Sequence, residues 1–217
     1  MSQICRLAAA ALLIGTPTLA LASEEGAELW YNPGVTFGLD DNTAIEIETA
    51  QRIRSASKGA DTYYARLWVV QDVTDRLSIS GGFERRVNNG AANETRLLQQ
   101  LSGKAGIVRG RLRLEQRFVD GAEQTAWRLR SRVGVNVPLD TDKKWRAIAD
   151  TEGFFTLRAT RAGGQTGLTG LRSQAGFAHE VSDRIGISLT YVRNQEIIDG
   201  RPDRVGHAPL FGIEFSF

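Results

Sequence analysis

Between residues 109 and 132 the chain carries seven arginines: Arg109, Arg111, Arg113, Arg117, Arg128, Arg130 and Arg132. They recur at even spacings, so an extended backbone sets nearly all of them on one face of two neighbouring strands. Guanidinium groups keep their charge and offer a planar donor fork that suits carboxylates and other oxyanions. Glu115 is the only acid within those two strands. Further acids stand elsewhere: Glu46 and Glu48 early, Asp150 and Glu152 just after the arginines, and Glu214 at the end. In a closed sheet the first and last strands meet, which sets Glu46, Glu48 and Glu214 across the interior from the arginine wall. Charges inside a narrow enclosure must be paired or hydrated, because a lone buried charge costs several kcal/mol. Two outcomes follow. The interior carries a transverse field that guides small anions, or Arg and Glu fill it as a salt-bridge plug. The small interior of a barrel of about ten strands favours the plug.

Catalytic chemistry has less to work with. The chain has two histidines, His179 and His207, and no G-x-S-x-G elbow. His/Cys spacing for a metal is absent. Asp199 and Asp203 share a loop near His207, and charged loop residues are ordinarily solvated. No catalytic residue, metal ligand or cofactor is assigned. Three alternatives stay open: an enzyme acting on lipid or peptide at the outer rim, a soluble periplasmic lipocalin-like binding barrel, and an adhesive surface built from the loops.

The elements that must position these charges are strands. "AIEIETAQRIR" sets Ile45, Ile47, Thr49 and Ile53 against Glu46, Glu48, Arg52 and Arg54. "RLSISGGFERRV" sets Leu77, Ile79, Phe83 and Val87 against Ser78, Ser80, Glu84 and Arg86. "RLRLEQRF", "AWRLRSRVGVNV" and "RIGISLTY" repeat the pattern. Alternation at every second residue predicts strands with one apolar face, and no helical stretch stands out after the first residues. Tight turns ("LDDN", "VTDR", "LSGKAG", "LDTDKK", "VSDR") alternate with looser, mostly glycine-containing loops ("SASKGAD", "VNNGAANE", "VDGAEQ", "ATRAGGQTG", "IIDGRPDR"). Outer-membrane barrels alternate short and long connections in this way. The expected fold is therefore all-β: a closed antiparallel transmembrane β-barrel of ten to twelve strands. Eleven segments can be counted. A barrel with both ends in the periplasm needs an even number, so the proline-containing first segment is expected to drop out, or one segment to hide two strands.

Residues 1–22 read as a signal peptide: Arg6, an apolar run from Leu7 to Ile14, and Ala20-Leu21-Ala22 before the expected cleavage point. The barrel domain is then 23–217. Cleavage removes Cys5, the single cysteine, and Arg6, leaving a formal net charge of +1. No disulfide or thiolate site remains, and so balanced a charge speaks against nucleic acid as a partner. At the other end, Phe211, Ile213, Phe215 and Phe217 alternate with Gly212, Glu214 and Ser216. A final aromatic after alternating apolar residues resembles the assembly signal of bacterial outer-membrane proteins. The expected partners are outer-membrane lipid and the outer-membrane assembly machinery.

Trp30, the paired arginine-rich segments "RLRLEQRF" and "WRLRSRVGVNVPL", and "EGFFTL" with Glu152 to Phe155 carry a wider likeness. Across most of its length the chain resembles a Gram-negative outer-membrane barrel family, the domain of unknown function numbered twenty-four-ninety. That resemblance implies fold and location. It brings no activity, because the family has none to transfer. The function expected is a structural barrel or a narrow passive pore.

Overall fold

Strand-period alternation leaves each segment with one apolar and one polar face, and rolling the sheet shut gives both faces a place. The computed structural model describes residues 23–54 and 61–217; the expected signal peptide lies outside them. Eleven strands run in order: β1 (Glu24–Gly38), β2 (Thr43–Arg54), β3 (Thr62–Thr74), β4 (Leu77–Asn88), β5 (Glu94–Ala105), β6 (Val108–Val119), β7 (Ala126–Pro138), β8 (Trp145–Arg158), β9 (Gly167–Ser182), β10 (Ile185–Glu196) and β11 (Arg204–Ser216). Each pairs antiparallel with its chain neighbour, and the sheet closes into one barrel through β1 and β11.

The closing pair corrects the parity expectation. β1 and β11 run parallel, with Trp30 beside Leu210 and Gly34 beside Glu214. Up-and-down connectivity reverses direction at every turn, so an odd number of strands leaves the first and last pointing the same way. The two ends of the barrel domain then lie at opposite rims. Glu24 N–H donates to the Asp203 carbonyl at the loop rim (2.8 Å), and Gly38 N–H to the Phe217 carbonyl at the turn rim (2.9 Å). The first segment is a full strand despite Pro33. A missing N–H costs one ladder bond on one side. β1 stays in register with β11 through Pro33, while its pairing with β2 skips Asn32 and Pro33.

Tight connections gather at one rim. There, the backbone N–H of Asn42 donates to the Asp40 carboxylate at 2.8 Å and holds that carboxyl below its ordinary pKa. The longer connections gather at the other rim. Outward residues are large and apolar: Leu67, Phe83, Leu112 and Leu189 are each about half exposed. Inward residues are buried against one another, with Trp30, Trp68 and Leu98 at 1% exposure. Space inside is tight enough to dictate glycine. A Cβ on Gly82 would run into the Trp68 indole and the Leu67 carbonyl, and one on Gly176 into the Leu189 carbonyl. No helix among the described residues is long and apolar enough to cross a membrane, which leaves crossing by strands untouched. Phe211 and Phe217 are exposed on the outside, and Phe217 stacks on Phe37 with ring centroids 5.7 Å apart.

Candidate functional site

Eight consecutive strands each place one charged residue at mid-height, and the signs alternate. In order from β2 to β9 they are Glu48, Arg66, Glu84, Arg96, Glu115, Arg130, Glu152 and Arg172. Register builds much of this belt directly. Glu48 faces Arg66, Arg66 faces Glu84, Glu84 faces Arg96, and Glu152 faces Arg172 across adjacent strands. The remaining links run diagonally, which long side chains can span.

Each neighbour in the belt is an ion pair. Arg66 binds Glu48 through Nη1 and Glu84 through Nε at 2.9 Å. Arg96 Nη1 lies 3.2 Å from Glu84 and 3.5 Å from Glu115. Arg130 donates to Glu115 at 2.9 Å and to Glu152 at 2.5 and 3.1 Å. Arg172 reaches Glu152 at only 3.8 Å and donates Nε to Asn194 at 3.1 Å. Four acids balance four arginines, so the belt itself is neutral. Further arginines add donors to its acids: Arg86 to Glu84 at 2.9 and 3.1 Å, Arg128 to Glu115 at 2.5 and 2.9 Å, and Arg111 to Glu152. Glu84 and Glu115 are wholly buried. Carboxylates so enclosed lose their water, and the guanidinium donors around them supply the compensating charge and hydrogen bonds.

Aromatic rings fill the space between the charges. Arg113 lies 4.7 Å from the Trp68 ring centroid, Arg130 4.7 Å from Phe154, and Arg66 4.8 Å from Tyr64. Desolvated contacts of this kind contribute about 2 kcal/mol each. The belt is open only across β10, β11 and β1, where Trp30, Val192, Ala208 and Leu210 pack as an apolar patch.

Of the seven arginines in the wall, Arg111, Arg128 and Arg130 bind acids of the belt. Arg132 pairs with Asp150 at 2.5 and 2.8 Å, and Arg117 with Glu94 at 2.5 Å. Arg113 uses Gln100 instead (2.6 and 2.8 Å). Arg109 stands apart at the turn rim, donating to the carbonyls of Gly106 and Val108. Glu46 and Glu214 make no ion pair among the described residues, although Glu46, like Glu48, is within electrostatic reach of Arg113. His179 stacks on Trp145 at 4.2 Å, and His207 Nδ1 meets Tyr191 Oη at 2.5 Å. Asp199 and Asp203 turn to Gln165 and Gln195, so they do not converge on His207.

Sequence reasoning missed half the belt. Arg66, Glu84, Arg96 and Arg172 sit on the polar phase of their strands, and that phase was the available signal. Their partnership needs the register between strands, which phase does not carry.

Above the belt, towards the loop rim, lies an open cavity of about 760 Å³. Arg96, Arg130 and Arg172 of the belt form part of its floor, and Arg161 and Arg201 stand at its mouth.

A closed β-barrel whose interior carries an arc of alternating charges on eight of its eleven strands defines the class. The chain belongs to the family described as protein of unknown function (DUF2490), whose model matches residues 27–204. It is also similar to an uncharacterized protein of Methylorubrum extorquens, at 26% identity over 199 residues and 86% of each chain. No solved structure matches it.

Proposed function

We propose that the chain is an exported outer-membrane β-barrel whose lumen is closed at mid-height, so that it acts as a structural barrel and not as an open pore. The belt carries this reading. Glu84 and Glu115 are wholly buried and Glu152 nearly so, with Arg96, Arg113 and Arg130 packed around them. An ion crossing that layer would have to break several desolvated ion pairs at once.

The outer surface supports the location. Soluble monomers rarely expose contiguous apolar patches beyond a few hundred Å², whereas here large apolar side chains stand outward on strand after strand. Strands of 12 to 16 residues are long enough to cross at a tilt. With the tight turns in the periplasm, as such barrels arrange them, Phe217 sits at the periplasmic rim, available to the assembly machinery. The loop rim and its cavity then face outward.

Membrane fractionation and planar-bilayer recording test the proposal together. The expected result is a chain beginning at Ser23, extracted only by detergent, whose refolded form gives no conductance steps. Recovery as a soluble periplasmic protein overturns the location. Steady steps from the refolded barrel overturn the closed lumen and favour the narrow pore.

A further inference from the structure

The cavity above the belt is far more basic than the layer beneath it. Among the described residues, eleven arginines line it against three glutamates. Some of that charge is neutralised locally: Arg117 and Arg96 share Glu94, and Arg128 is held by Glu115. The floor beside the opening in the belt is different. Arg52 is 8% exposed, lines the cavity, makes no ion pair among the described residues, and its Nε has no hydrogen-bond partner. Its guanidinium lies over Trp30 at 4.0 Å. Arg172, the loosely held last member of the belt, lies over the same indole at 4.8 Å.

Two guanidinium groups therefore share one aromatic ring. The carboxylate on that ring's Nε1, Glu28 (2.6 Å), pairs with Arg54 at 3.1 Å and with neither of them, and only Arg172 reaches an acid, Glu152 at 3.8 Å. A neutral aromatic face attracts each cation but cannot cancel the repulsion between them. In a cavity open to solvent, such a pair of donor forks is a receptor for an oxyanion carrying two or more charges. The cavity is also much larger than a bare ion and lies in the size range of small-molecule sites. Asn88, Gln165, Thr169 and Asn194 on its walls offer neutral donors and acceptors for a hydroxyl-bearing body.

We propose that this vestibule binds a phosphate-bearing small anion, with Arg52 and Arg172 gripping the phosphate against Trp30 and Arg161 and Arg201 drawing it in at the mouth. This goes beyond the closed-barrel reading and does not depend on membrane location. The cavity opens through the loop rim, which favours a soluble ligand over a lipid headgroup.

The refolded barrel in neutral detergent is titrated with pyrophosphate, and in a second arm with lipid A in mixed micelles. Calorimetry and the tryptophan emission are both followed. Saturable binding of pyrophosphate is expected, weakened at least tenfold in Arg52→Gln and in Arg172→Gln, with chloride unable to compete at equal ionic strength. Arg161→Gln/Arg201→Gln, on exposed loops, should weaken it several-fold and flatten its salt dependence; this variant serves if the buried changes prevent folding. Binding of lipid A alone, with the same losses, supports the phosphate site and assigns it to a headgroup. Absence of binding in both arms overturns the proposal, as does binding that chloride displaces equally or that survives all three variants.

Discussion

Two layers of one lumen handle arginine in opposite ways. At mid-height Arg66, Arg96 and Arg130 each hold a carboxylate on both sides, and Glu115 alone receives Arg128, Arg130 and Arg96. A few residues towards the loop rim, Arg52 is as buried as the belt arginines, yet among the described residues its charge meets aromatic rings and no carboxylate: Trp30 at 4.0 Å and Tyr64 at 5.6 Å. Both layers come from the same polar face of the same kind of strand. The difference shows that burial of a charge is not by itself a sign of structural duty. What matters is whether the protein supplies the counter-charge or leaves it to be supplied from outside.

The largest effect should come from unbalancing the belt. Glu115→Gln leaves Arg128, Arg130 and Arg96 without their common anion, and breaking a buried pair in this way costs about 3–5 kcal/mol. Urea unfolding of the refolded barrel, followed by heat-modifiable gel mobility, should show a loss in that range. Stability close to wild type would mean that water already enters the layer and that the belt is not a seal.

A second change asks whether place or charge matters on the same strand. Leu112, on β6, faces outward and is 47% exposed, whereas Arg113 beside it is 3% exposed. Leu112→Arg should destabilise the membrane-inserted barrel by about 2–4 kcal/mol, the cost of an arginine on a lipid face near the midplane. Folding into lipid vesicles gives the measurement. If Leu112→Arg folds into lipid as well as wild type, the outer face does not meet hydrocarbon and the belt lies in a soluble barrel.

Arg52→Gln should have the smallest effect on stability, within about 1 kcal/mol. It loses a cation–π contact worth up to about 2 kcal/mol but removes a buried cation that lacks a counter-charge, and the two nearly cancel. The same unfolding assay, run without phosphate, compares it with Glu115→Gln. Equal losses from the two variants would erase the distinction between a structural layer and a receptive one.

Much of this was written in the residue order. Alternation in "RLRLEQRF" and "AWRLRSRV" separates Leu112 from Arg113 and Leu129 from Arg130 without any knowledge of the fold, because extended backbone turns successive side chains to opposite faces. Turn residues such as those in "LDDN" and "VSDR" marked where strands reverse, and the polar phase put charges inside once the sheet closed. The sequence alone thus determined an all-β chain with a charged interior, rich in arginine from 109 to 132. It did not determine how the sheet shuts. Eleven alternating segments could be counted, but the parallel pairing of β1 with β11 also depends on β1 keeping its ladder past Pro33, which no local pattern encodes. Nor did it determine which charges meet. The alternating belt exists because eight strands are staggered so that one Glu or Arg from each reaches the same height. Register is a relation between strands, fixed in each hairpin by the turn and loop that join its strands and around the barrel by the stagger that closure requires. Register across β4 and β5 pairs Glu84 with Arg96, register across β1 and β2 sets Arg52 beside Trp30, and only closure brings Arg172 of β9 over the Trp30 ring of β1.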